Sequence, residues 1–158
     1  MPGYFLDTSA LVKHYHPEVG SADIDRLWND PANSLFASRL SSLEIVSAFA
    51  GKVRTGQISP ADFSVLTRRF AADVAKKRLP TVRLLAIHSR DADRLLRQHG
   101  LSAPMRTLDA LQLAVALDLR SRGLVSHFVC ADRDLLSIAT REGLSILDPE
   151  NPESHRVG

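Results

Sequence analysis

The sequence predicts an α/β fold, three-layered α/β/α, with a mostly parallel central sheet covered by helices on both faces. Three observations predict it. Short apolar runs alternate along the chain with segments whose apolar residues recur at helical spacing. The runs are apolar throughout, as strands buried on both faces tend to be. No internal repeat, low-complexity tract or linker divides the 158 residues, so residues 1–150 are expected to form one domain, followed by a polar tail at 151–158.

Each element has its own signal. Residues 3–7 read as a first strand, and 8–15 as a helix that stops near Pro17. Residues 21–30 carry Ile24, Leu27 and Trp28 on one helical face; Ser21 is the expected cap, and Pro31 and Asn33 break the helix. SLFAS at 34–38 is a strand. A helix follows with apolar residues at 40, 43, 46, 49, 50 and 53, stopped by Gly56. Ser59 and Pro60 open a long amphipathic helix over 59–77, with a stripe at 63, 66, 70 and 74. TVRLLA at 81–86 is a strand or extended link, and SRDADRLLRQHG is a helix closed by Gly100. The helix after Pro104 is apolar on nearly every side and therefore buried. SHFVCA at 126–131 is a strand, DRDLLSIATREG a helix stopped by Gly143, and LSILDP the last strand.

Composition narrows the function classes. The apolar fraction is 44% and the charged fraction 24%, as in an ordinary globular domain. No apolar run approaches the ~20 residues of a membrane span, and the N-terminus lacks the pattern of a signal peptide, so a cytoplasmic protein is expected. Cys130 is the single cysteine, which excludes an intramolecular disulfide and a thiol pair for zinc. Twenty basic residues against 18 acidic ones leave a formal charge of +2. Arg54, Arg68, Arg69, Lys76, Lys77 and Arg78 form a positive flank that either steers a phosphate backbone or is simply a solvated helix face. His14 and His16 are read as surface residues.

Four acids stand in unusual places. Asp7 and Asp132 follow the carboxyl ends of predicted strands, where ligands of parallel α/β sheets bind. Glu44 sits between Leu43 and Ile45, and Asp109 lies on the first turn of the most apolar helix. Singly, each has a structural reading: Asp7 and Asp132 as helix caps, Asp109 as a first-turn acid with Thr107 as cap, Glu44 as a solvent-facing residue. Jointly, several converging carboxylates would repel one another and raise their pKa values, a conflict that a hard divalent cation resolves.

The stretches FLDTSALVKHYHPE, SSLEIVSAF, RTLDALQLAVAL and VCADRDLLSIATREGLSILDPE, in this order, resemble PIN-domain ribonucleases, and among them VapC-type toxins of toxin–antitoxin pairs. The resemblance runs from about Tyr4 to Pro149. It implies a metal-dependent endoribonuclease that hydrolyses RNA phosphodiester bonds with Mg²⁺, for which Mn²⁺ substitutes. The family's acidic quartet falls on Asp7, Glu44, Asp109 and Asp132, with Asp134 a second candidate for the last place. Asp7 and Asp109 would hold the metal most directly. Ser9 matches a small hydroxyl residue that orients Asp7, and Thr107 is a cap that also faces the site. The resemblance further implies a VapB-type antitoxin as partner and a homodimer. Phe63, Leu66 and Phe70 either form a partner-facing groove or pack into the core.

Rival readings have less support. A catalytically silent PIN-like domain that binds RNA or protein is the alternative, although all four acidic positions are filled. A haloacid-dehalogenase-type phosphotransfer site needs a second Asp two residues after its nucleophile, where this chain has Ser9. A receiver domain needs a Lys at its last strand, which LSILDP lacks. No glycine-rich phosphate loop follows any predicted strand.

Overall fold

The computed structural model describes residues 1–154, so the predicted tail from residue 155 onward lies outside the described residues. The strands are β1 (Gly3–Leu6), β2 (Ser34–Ser38), β3 (Thr81–Val82), β4 (His127–Val129) and β5 (Ser145–Leu147). They form one sheet in the order β3-β2-β1-β4-β5, and every pairing is parallel. The helices are α1 (Thr8–Tyr15), α2 (Ser21–Asn29), α3 (Ser41–Arg54), α4 (Pro60–Ala75), α5 (Ala86–His99), α6 (Thr107–Ser121) and α7 (Arg133–Arg141), with a 3₁₀ turn at Pro152–Ser154.

The two-residue side-chain period of the strands divides the interior into two cores. Phe5, Phe128 and Ile146 point to one face and pack with Leu113, Val115 and Leu119 of α6 and with α5 and α7. Leu6, Val129 and Leu147 point to the other face and pack with α1 to α4. Both faces of the sheet are thus covered, as the uniformly apolar strands require. The chain runs from β1 outward to β2 and β3, then crosses to β4 and β5 on the other side. The reversal lies between β1 and β4, and it opens a crevice at their carboxyl ends. At the opposite, amino ends of these strands close packing depends on Gly3: a Cβ at this residue would come within 1.9 Å of Leu124 O.

Several boundaries differ from the sequence reading, each for a local reason. The expected strand at 81–86 shrinks to two residues, because only Thr81 and Val82 have a partner strand, pairing with Ala37 and Ser38. α5 then begins at Ala86, where the Leu85 N–H donates to His88 Nδ1 at 3.1 Å, so a histidine in the first turn does the work of a capping acid. Ser21 is not a cap. Gly20 holds that position with φ +89°, and a Cβ there would lie 2.6 Å from Pro149 O. The stripe on α4 is core: Leu66 and Phe70 are buried, and Phe63 packs against the same cluster. Of the two readings, packing into the core is the one these three side chains show. His14 is not a surface residue either; it stacks on Trp28 at 3.9 Å and pairs with Asp25 at 2.7 Å. The basic flank from Arg54 to Arg78 is exposed, and Arg78 faces Asp73 at 3.5 Å.

Candidate active site

The crevice between β1 and β4 is where the acids meet. The Asp7 N–H donates to Val129 O at 3.0 Å, so this residue sits on the last rung between the two central strands. Its carboxylate caps α1. The Ser9 N–H and Ser9 Oγ both donate to Asp7 Oδ2, at 3.1 and 2.7 Å. Ser9 Oγ also accepts the Ala131 N–H at 3.1 Å, which ties the start of α1 to the turn after β4. Cys130 lies behind this pair. Its Sγ accepts the Asp132 N–H at 3.3 Å and stands 3.7 Å from Asp7 Oδ2. Burial, reinforced by the Asp7 charge, pushes the thiol well above its usual range, so the protonated S–H faces the carboxylate.

Asp7 is only 6% exposed. Burial raises its pKa, the two Ser9 hydrogen bonds oppose that rise, and the Asp109 charge adds to it. Glu44, in the first turn of α3, is half-buried. Its Oε1 accepts from Gln112 Nε2 at 2.6 Å and from Thr8 Oγ1 at 3.3 Å. Burial also raises the Glu44 carboxyl; the Gln112 bond opposes this, and the Asp7 charge pushes it further up. Asp109, in the first turn of α6, accepts the Arg106 N–H at 3.0 Å, with Arg106 Nε 3.7 Å away. Asp132 caps α7 through Oδ1, which accepts from Asp134 N and Leu135 N at 2.9 and 3.2 Å.

All four carboxylates line one open cleft of about 670 Å³, together with Thr8, Ser9, Arg106 and the apolar side chains of Val12, Leu40, Leu43 and Leu108. Among the described residues Arg106 is the one cation lining it, and its side chain is 88% exposed. Among the described residues, no group of three or more His, Cys, Asp or Glu side chains is arranged to hold a metal ion. Each carboxylate instead gives at least one oxygen to a local donor. The cleft therefore gathers the acids without closing them into a ligand cage. The chemistry of the donor set suits a hard divalent cation all the same: carboxylate oxygens, among them those of the buried Asp7, which has no ion-pair partner among the described residues, and no thiolate among the described lining residues.

Two of the other predicted positions fall outside the cleft. Asp134 is exposed, and its role there is a backbone N–H given to Asp132. Thr107 is exposed and is the first residue of α6; the cap position belongs to Arg106, so Thr107 neither caps nor lines the cleft. The sequence reading missed Gln112, which is fully buried beneath the cleft. The signal was available: it is the one polar residue between Asp109 and Asp118, one turn beyond Asp109. Lys13 was missed as well. It is buried and salt-bridged to Glu18 at 3.0 Å and Glu150 at 2.6 Å, with nothing in its spacing to mark it.

A parallel α/β/α domain with carboxylates gathered at the ends of its two central strands is the class of protein defined so far. Comparison with known proteins is specific. Residues 4–141 match the model of the PIN domain family. The chain is 33% identical over 125 residues to Ribonuclease VapC45 of Mycobacterium tuberculosis, covering 79% of this chain and 82% of that protein. The chain belongs to the PIN domain family and, within it, groups with the VapC ribonucleases. Solved structures agree on the fold. Mycobacterium tuberculosis VapC20, described as a sarcin-ricin loop cleaving toxin, superposes with a TM-score of 0.64 at 18% identity, covering 85% of this chain and 93% of that one. A toxin–antitoxin complex from Klebsiella pneumoniae gives 0.57 at 14% identity, covering 92% and 97%.

Proposed function

We propose that this chain is a metal-dependent endoribonuclease that hydrolyses RNA phosphodiester bonds as the toxin of a toxin–antitoxin pair. One observation carries the reading: Asp7, Glu44, Asp109 and Asp132, drawn from four distant parts of the chain, line a single cleft in a chain that groups with ribonucleases. Asp7 and Asp109 would hold Mg²⁺ or Mn²⁺ most directly, and Glu44 and Asp132 would complete the site, partly through water. When bound, the ion supplies Lewis acidity to the scissile phosphate and to the attacking water. The chain's own groups do the rest. Ser9 fixes the orientation of Asp7, and two backbone amides fix Asp132. One of the four carboxylates would accept the proton that the attacking water gives up, and the upward push of burial on Glu44 supports that residue for the task. Arg106 at the rim attracts the RNA backbone.

An acid-lined cleft with Leu43 and Leu108 exposed at its edge suits an antitoxin segment that pairs a basic residue with apolar neighbours. The likeness to a toxin–antitoxin complex supports such a partner. A homodimer and a cytoplasmic location complete the reading; among the described residues no helix is long and apolar enough to cross a membrane. The lack of a ready-made ligand cage is the observation that favours a silent RNA- or protein-binding domain instead.

The deciding experiment incubates the partner-free chain with a folded RNA pool in Mg²⁺, Mn²⁺ or chelator, for wild type and Asp109→Asn. Asn retains size and capping ability but not the charge that a hard cation needs. Cleavage that requires metal and vanishes in the variant is the expected result. A folded, partner-free chain that cuts under no metal would overturn the nuclease reading and leave the binding domain.

A further inference from the structure

Beneath the acid cleft lies a polar cluster in which Gln112 is fully buried, as are Ser38 and Ser41. Ser38 Oγ, at the end of β2, donates to Gln112 Oε1 at 2.8 Å. The carboxylate of Glu44, which only accepts, fixes which end of the amide faces which way, and Ser38 then donates to the other end. The Nε2 end is directed at Glu44 Oε1 at 2.6 Å, with Ser41 Oγ at 3.2 Å and Thr8 Oγ1 at 3.3 Å. Thr8 Oγ1 in turn lies 3.3 Å from Glu44 Oε1 and 3.4 Å from Ser41 Oγ. Donors from two elements, Thr8 of α1 and Gln112 of α6, thus meet on one oxygen of Glu44, with Ser38 of β2 and Ser41 of α3 backing them; among the described residues these cluster bonds all go to Oε1.

We infer that Gln112 is a positioning residue: its amide, held at its oxygen by Ser38, pins Glu44 Oε1 so that the other oxygen of Glu44 is presented to the cleft. The inference rests on the nuclease reading above. A buried amide satisfied at both ends is also what a purely structural residue would show, but two features favour positioning. The shortest of its contacts goes to the one ionisable group in the cluster, and such charge-assisted bonds are the strong ones. Gln112 also stands one helical turn beyond Asp109, so a single helix face carries one acid of the cleft and the support of another. Groups that orient metal-binding carboxylates typically change affinity or activity by 10–100-fold when removed.

The test is Gln112→Met, which keeps volume and removes the amide. Binding of Mn²⁺ to the partner-free chain, measured by calorimetry, is expected to weaken about tenfold. Cleavage should fall through kcat, with KM for RNA unchanged. In a Glu44→Gln background the same substitution should weaken Mn²⁺ binding no further, because the bond it breaks no longer orients a ligand. Ser38→Ala, which frees the amide while leaving Gln112 in place, should weaken binding in the same direction and serves if Gln112→Met folds poorly. Unchanged Mn²⁺ affinity in both variants, or an equal loss in both Glu44 backgrounds, would overturn the positioning role. A wild-type chain that neither binds Mn²⁺ nor cuts RNA would remove the nuclease reading and this inference together. A wild type that does both, alongside a Gln112→Met chain that does both equally well, would remove only the inference.

Discussion

Ser9→Ala should cost far more than the loss of one helical serine. Ser9 Oγ donates to Asp7 Oδ2 at 2.7 Å and accepts the Ala131 N–H at 3.1 Å. A hydrogen bond to a charged acceptor contributes about 1.5–3 kcal/mol, and a backbone donor left without a partner costs about 1–3 kcal/mol. Water reaching Ala131 from the open cleft offsets part of the second cost, so the expected loss is about 2–4 kcal/mol. That is a large share of a stability of roughly 5–15 kcal/mol. Urea unfolding of the metal-free chain near neutral pH reads it directly. The loss must also depend on pH in a definite direction. Ser9 lowers the Asp7 pKa against the rise that burial imposes, so the Asp7 pKa is higher in the variant than in wild type. The wild-type advantage is therefore full where Asp7 is ionised in both, and it shrinks as pH falls and Asp7 takes up a proton. A loss below about 0.5 kcal/mol, or one that is the same in acid and at neutrality, would refute the claim that Ser9 serves the charge on Asp7.

Asp7→Asn should gain stability on metal-free wild type as pH rises. Burial raises the folded Asp7 carboxyl above its unfolded value, so wild type loses stability as pH climbs from the unfolded carboxylate range through the folded value. Paired urea titrations from about pH 4 to pH 7 should show the gap widening, and a constant gap would contradict it. Gly3→Ala should destabilise by about 3 kcal/mol, the upper end for overpacking, because the new Cβ meets Leu124 backbone atoms at 1.9 and 2.8 Å rather than a side chain that can move; thermal melting checks this. Cys130 should resist an aromatic disulfide reagent in the native chain and react fully in denaturant, since its thiol is buried and held protonated. Fast native labelling would show that the crevice opens.

Most of the architecture was legible because it follows from short-range pattern. The Ser59 cap with Pro60 after it, the apolar runs of β1, β2 and β4, and the left-handed stops at Gly56 and Gly143 are local signals that the structure retains. What failed was set by particular partners, distant or near, that apolar spacing does not reveal. β3 ends at Val82 because only two residues find β2 beside them, and α5 starts early because His88 reaches back to Leu85. The acids were conspicuous because carboxylates are rare in apolar surroundings. Asp132 and Asp134 could not be separated by sequence, since both sit near the same helix start, and only the three-dimensional path places Asp132 on the cleft. Gln112 stood out as the one polar residue between Asp109 and Asp118, but its partners Ser38 and Glu44 lie more than thirty residues away, and Lys13 depends on Glu150 at the far end of the described chain.

The strand order also has a consequence in time. The first strand made is the central one, and its second neighbour, β4, is not made until residues 127–129. Until then β1 has an open edge, and Asp7 has neither Val129 O nor the Ala131 turn to fix its place. Chains emerge and fold from the N-terminus, and pairings this distant in sequence form late. A nascent chain therefore carries Asp7 and Glu44 long before it has a cleft. Elongation past Asp132 is what completes the lining, so a nascent chain that has not reached that residue has no complete cleft with which to cut RNA.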